Sequence, residues 1–272
     1  LFVATTLGAA ERRVVFAVRS GADGAFVEPI VRLDPIDSGP KGFEGDAADA
    51  ETRAFAKRYF ASDRRYGVYA GGVRVGSLQP GTKYDAGCVS LAATASIDGR
   101  KPAEDETMLA TNFALPTRES SNERDVSVGE AAALRRYGAV FLRARGVEVP
   151  QSETLLTNAR VYDVGHDESI VAGTIWIDDR ECSVKSLGAV FVIARLRDVS
   201  PSNVTPQVAK YLPRATCDES ANSEPIGALD VDGDGIDELF VRDWLYEGED
   251  YYVWRRTATG KWVAVRGASS GC

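Results

Sequence analysis

The sequence predicts an α+β fold, mostly antiparallel β with two helices and ending in blade-like β-hairpin repeats. Three observations predict it. Short runs rich in Val, Ile, Phe and Tyr alternate with Gly and Asp turns along most of the 272 residues. Only two segments carry helix signals, and helical periodicity disappears from Asn158 onward.

The elements follow in order. Arg13 to Arg19 and Phe26 to Leu33 flank the turn-forming Ser20-Gly21-Ala22-Asp23-Gly24, which reads as a hairpin. Asp34 to Gly45 is a Pro/Gly loop. Asp46 to Phe60 is alanine-rich, acidic early and basic late at Lys57 and Arg58, with Phe55 and Tyr59 one turn apart: a helix whose charges match its dipole. Tyr66 to Leu78 folds back at Gly71-Gly72, and Cys88 to Ile97 is a further strand ending at Asp98-Gly99. Residues 98–127 are polar and turn-rich and are expected to form a long loop. Ser127-Val128-Gly129-Glu130 fits a capping box that opens a helix running to Arg145 and stopping at Gly146, with Leu134, Tyr137 and Phe141 on one face. Short strands follow at Val161-Tyr162, Ile170 to Ile177, Leu187 to Leu196, Ile226 to Leu229, Glu238 to Tyr246, Tyr251 to Arg256 and Trp262 to Arg266. The chain thus divides into an N-terminal α+β region, 1–150, and a C-terminal β region, 151–272.

Lys+Arg is 32 against Asp+Glu 40, so a nucleic-acid partner would have to be held against the overall field. No apolar run reaches the roughly 18 residues of a membrane span; Leu187 to Leu196 is broken by Arg195. Four widely spaced cysteines and a single histidine, His166, exclude the usual Cys/His zinc site. The chain opens at Leu1 and holds one methionine, Met108, which suggests a removed leader. The expectation is a secreted, periplasmic or cell-surface protein with two disulfides. Cys217 to Cys272 would pin the ends of the last β unit, leaving Cys88 for Cys182.

The acidic excess concentrates in Asp230-Val231-Asp232-Gly233-Asp234-Gly235-Ile236-Asp237-Glu238, which feeds directly into Leu239-Phe240-Val241. Acidic residues at the first, third and fifth positions can converge on one cation when the chain turns, and the glycines permit the turn. Ile236 would offer its carbonyl and Glu238 would close the shell. A dense set of hard oxygen ligands suits Ca²⁺ better than Mg²⁺ or Mn²⁺. An EF-hand is rejected, because its twelfth position is Val241 rather than glutamate.

These residues resemble the calcium loops of FG-GAP and VCBS repeats, the propeller repeats also seen in integrin α chains. The resemblance spans Ile226 to Val265 and implies one four-stranded blade, with Asp230, Asp232, Asp234, the Ile236 carbonyl and Glu238 as ligands and Asp237 outside the set. Asp163-Val164-Gly165-His166-Asp167 is an imperfect echo, with Gly165 in place of the second ligand. A complete small β-propeller is the alternative fold, disfavoured because two helices occupy the middle of the chain.

Other residue types point less far. His166 lies in a turn and is expected to be solvated, and Cys88 is expected in a disulfide rather than as a nucleophile. Trp244, Tyr246, Tyr251, Tyr252, Trp254 and Trp262 fit a β core better than a sugar-binding face, although Glu247, Glu249 and Asp250 lie beside them. No nucleophile elbow, phosphate loop or dinucleotide fingerprint occurs. The expected function is a non-catalytic, calcium-binding module for a protein or glycan; the alternative is a secreted carbohydrate-active enzyme using Glu247 or Asp250.

Overall fold

The computed structural model describes residues 12–21, 24–33, 50–85, 91–116, 118–149, 154–177, 188–196, 204–213, 222–245 and 248–271. All four cysteines lie outside these residues, as does the proposed disulfide pairing. The described residues form an α+β fold, mostly antiparallel β with two helices, as the sequence predicts.

Val14 to Val18 are all fully buried, which a half-exposed hairpin would not allow. The reason is that alternate residues serve two different cores. The first strands are β1 (Val14–Gly21), β2 (Gly24–Arg32), β3 (Tyr66–Ala70), β4 (Val73–Asp85), β5 (Ala92–Gly99) and β6 (Met108–Thr111). They close into a barrel in the order β1-β2-β5-β4-β3-β6, with β6 pairing both β3 and β1. Val14, Phe16 and Val18 join the inner cluster, where helix α1 (Ala50–Tyr59) adds Phe55, Ala56 and Tyr59. Phe16 stacks on Tyr66 with ring centroids 4.8 Å apart. Val15 and Ala17 point outward into a second cluster.

That second cluster is shared with a four-stranded meander, β12 (Asn222–Leu229), β13 (Glu238–Leu245), β14 (Gly248–Arg256) and β15 (Trp262–Gly271). Between barrel and meander in sequence come β7 (Glu123–Asp125), α2 (Val128–Arg143), β8 (Thr154–Asp163), β9 (Ser169–Ile177), β10 (Ala189–Leu196) and β11 (Val204–Leu212). The strands form one sheet ordered β11-β10-β9-β8-β7. Phe240, Tyr251 and Val253 of the meander face the barrel, whereas Leu239, Val241 and Trp254 face Tyr162, Phe191 and Ile193 of the five-stranded sheet. Burial on both faces explains the unbroken Leu239-Phe240-Val241 run. The far face of the five-stranded sheet is covered by α2 through Leu134 and Leu142, so β7 and α2, which precede residue 150, pack with the strands that follow it.

Two expectations are corrected. The 98–127 stretch is not one loop, because it contributes β6 to the barrel and β7 to the five-stranded sheet. A strand absent from the sequence reading, β11, pairs along β10. Among the described residues the sheets are a closed six-stranded barrel, a five-stranded sheet and a four-stranded meander. Among the described residues no helix is long and apolar enough to cross a membrane.

The capping box of α2 is present in full. Glu130 N donates to Ser127 Oγ at 3.3 Å, and Ser127 N donates to Glu130 Oε2 at 2.8 Å. Hydrogen bonds from Arg124, with those from Ser127, hold the Glu130 carboxyl down to about 2. Because the folded-state value lies below the unfolded one, this stabilisation is complete above about pH 4.5 and is lost as pH falls toward 2. Glu130→Ala should therefore cost about 1 kcal/mol at pH 7 in urea unfolding, with the difference from wild type shrinking as the pH is lowered through that window.

Candidate metal centre

The acidic loop joins β12 to β13 and is shaped by its own side chains. Asp230 accepts from Gly233 N at 2.7 Å and from Gly235 N at 3.0 Å, Asp232 accepts from Asp234 N at 3.1 Å, and Asp234 accepts from Ile236 N at 2.8 Å. Each carboxylate thus captures a backbone N–H a few residues on, as short acidic side chains do in turns. Gly233 and Gly235 have φ of 84° and 86°, left-handed backbone that favours glycine at both steps.

The result is convergence. Carboxylate oxygens of Asp230, Asp232 and Glu238 lie within 4.8 Å of one another. Glu238 is 3% exposed, and its Oε2 accepts from Val231 N at 2.9 Å across the mouth of the loop. Burial raises its carboxyl to about 8, the Val231 bond opposes this, and Asp232, Asp234 and Asp230 push it further up. Asp232 is raised as well, chiefly by burial. Three of the five sequence-predicted ligands are therefore brought together. Asp234 lies outside the converging set, with its Oδ1 on Ile236 N, and Ile236 enters the geometry through that N–H.

Asp237 has a different task. It is buried, accepts from Arg118 Nη2 at 2.7 Å and from Asn122 Nδ2 at 2.6 Å, and donates its own N–H to Val164 O at 2.9 Å. Asn122 is the residue that sequence reasoning missed. Its Nδ2 also donates to Ala228 O, its N–H to Gly71 O, and its carbonyl accepts from Asp163 N, so one side chain and its peptide tie the barrel to both sheets. Its position in a polar, turn-rich stretch gave no signal of this.

The imperfect echo lies against the loop. A Cβ on Gly165 would sit 2.2 Å from Gly235 O, so the β8–β9 turn docks backbone to backbone on the acidic loop. Asp163, His166 and Asp167 are exposed there, and Asp163 accepts from Gly165 N instead of joining the acidic set.

The other candidate acids are held in networks. Asp250 is buried and accepts from Arg266, Ser269 and Tyr252, while Glu249 accepts from Arg19 at 2.9 Å. Tyr251, Trp254 and Trp262 are buried, whereas Trp244 and Tyr252 are half-buried. Tyr246, Glu247 and Cys88 lie outside the described residues. No family model matches this sequence, and comparison with curated proteins and with solved structures returned no significant match.

Proposed function

We propose that residues 230–238 bind Ca²⁺ and that the ion fixes the β12–β13 connection of an exported, non-catalytic β module that binds a protein or a glycan. The observation that carries this reading is the convergence of Asp230, Asp232 and Glu238, with Glu238 buried. Like charges gathered at this spacing repel strongly in a partly desolvated loop, and a bound cation reverses the sign of that energy. The donor set is all oxygen, which selects a hard ion, and its density favours Ca²⁺ over a strongly hydrated Mg²⁺. Asp234 and the Ile236 carbonyl complete the ligand set in this proposal, in keeping with the Asp-x-Asp-x-Asp-Gly resemblance to FG-GAP and VCBS loops.

The loop feeds straight into a strand buried on both faces, so the ion acts on sheet geometry rather than on a substrate. The saturated carboxylate of Asp250 supports the non-catalytic reading over the carbohydrate-active enzyme. Calorimetric titration tests the metal: Ca²⁺ should bind with one site per chain, Mg²⁺ more weakly, and Asp232→Ala should remove the heat. Absence of Ca²⁺ binding by the wild-type protein would sink the proposal.

A further inference from the structure

At the other end of the β12–β13 hairpin lies an open cleft between the barrel rim and the sheets. It has a main chamber of about 640 Å³ and a side chamber of about 300 Å³, and the two share Glu104 to Thr107, Asn158 and Glu224 in their walls. That volume is in the range of small-ligand sites. Trp244 pairs with Asn222 and Glu238 with Leu229, so the side chamber, where Trp244 lies, is about 20 Å of strand from the acidic loop.

We propose that this cleft is the ligand site of the module and that its ligand is an uncharged carbohydrate; the proposal rests on reading the protein as a binding module. The first argument is the state of its charges. Arg242 donates to Glu224 at 2.6 Å, Arg160 to Glu123 at 3.1 Å, and Arg100 pairs with Glu106 at 2.8 Å. Arg19, at the floor, pairs with Glu28 at 2.6 Å and Glu249 at 2.9 Å. Exposed pairs such as Arg100–Glu106 and Arg160–Glu123 contribute little to stability, and what they supply to the opening is fixed polar groups. Each pair presents oriented N–H donors and carboxylate acceptors whose charges are already matched. A hydroxyl-rich, neutral ligand can bond to both without breaking a pair, whereas a charged one would have to compete with a partner already in place. Glu104 and Asp105 stand exposed on the rim and repel an anionic sugar.

The second argument is unsatisfied capacity. Arg19 Nε and Thr107 Oγ1, both on cleft-lining residues, are buried without a hydrogen-bond partner among the described residues. In the wall of an open cleft such groups are free capacity for the polar atoms of a ligand. The third is the aromatic wall. Trp244 is half-buried, its Nε1 donates to Glu224 Oε2 at 3.3 Å, and the Arg242 guanidinium lies 4.1 Å from its ring centroid. An indole held by two fixed neighbours is a rigid platform for the C–H face of a sugar ring. Asn158, shared by both chambers, sits in left-handed backbone with φ 50° at an irregularity in β8, a local strain of the kind that gathers at binding sites.

Affinity electrophoresis of the full chain tests the proposal, with gels containing mixed-linkage β-glucan, galactomannan or arabinoxylan, and polygalacturonate as the anionic comparison. Retardation is expected in at least one neutral gel and not in polygalacturonate. Trp244→Ala should weaken it by about tenfold or more, and Glu224→Gln by a smaller factor, while Trp244→Phe retains most of it. Val140→Ser on the outer face of α2 should leave it unchanged, and circular dichroism melting confirms that each variant folds. No retardation in any neutral gel, retardation unaffected by Trp244→Ala in a folded variant, or retardation in polygalacturonate alone overturns the proposal. Calcium titration of the same samples reads the metal loop separately, so loss of one reading is distinguishable from loss of the other.

Discussion

Arg19→Met is expected to destabilise the protein by about 3 kcal/mol or more, the largest effect of any single substitution considered. Glu28 is 1% exposed on the barrel wall and faces the meander, where Tyr251, also buried, donates its hydroxyl to the same carboxylate. Arg19 bridges the two layers by pairing with both Glu28 and Glu249. Methionine keeps most of the stem's packing but removes the guanidinium, which takes away the cation that links Glu28 to Glu249 beside the Tyr251 hydroxyl, while Arg242 remains 3.8 Å from Glu249. Urea unfolding monitored by tryptophan fluorescence gives the loss directly. The double variant Arg19→Met/Glu28→Gln should recover a large part of it, because the cost lies in a buried negative charge that has lost one of its compensating groups rather than in the pair as such. A loss below about 1 kcal/mol would show that the layers are held by their apolar contacts alone, and a larger loss without recovery would place the cost elsewhere than at Glu28.

On the calcium proposal, chelation is expected to give the second large effect. An ion that binds only the folded state stabilises it by about 2.7 kcal/mol at a hundredfold excess over its dissociation constant. For a chain of this size that corresponds to a melting temperature higher by roughly 5 °C in calcium than in chelator. Asp232→Ala should melt near the chelated wild type and respond no further to chelator. Equal melting temperatures for the wild type in calcium and in chelator would remove the structural role assigned to the ion.

The elements that were legible in the sequence carried local signals. Ser127 and Glu130 declare the start of α2 within four residues, and Gly233 and Gly235 declare the turn of the acidic loop. The strands that were not legible depend on distant context. Met108 to Thr111 is too short to show alternation, and it becomes a strand because the edges of β1 and β3 need closing. Pro206 argues against a strand at 204–212, yet β11 is the edge of its sheet, and the pairing shifts register beside Ala194, where that proline sits. The same division holds at the sites. Asp230, Asp232 and Glu238 lie within nine residues and could be read as a unit, whereas the Arg19–Glu28–Glu249 network and the cleft above it join residues about 230 positions apart. Asp237 stands outside the ligand set in the sequence reading, but its task as a structural anchor is visible only through Asn122 and Arg118, from another part of the chain.

The closure of the barrel by β6 has a consequence for how the protein comes into being. Val14 N donates to Asn112 Oδ1, 98 residues further along, and the β1–β6 ladder must span the same separation. The entropy of closing so long a segment is spent before any of those bonds forms. The β12–β15 meander, by contrast, is built from neighbouring strands joined by short connections. On a ribosome the first strands therefore emerge long before their last partner does, and they wait with unpaired edges until residue 111 is released. The meander that covers their outer face follows them in the chain and pairs only neighbouring strands. The loops its pairing must close are shorter than the one closed by β6, so its strands carry a smaller closure entropy than the barrel's.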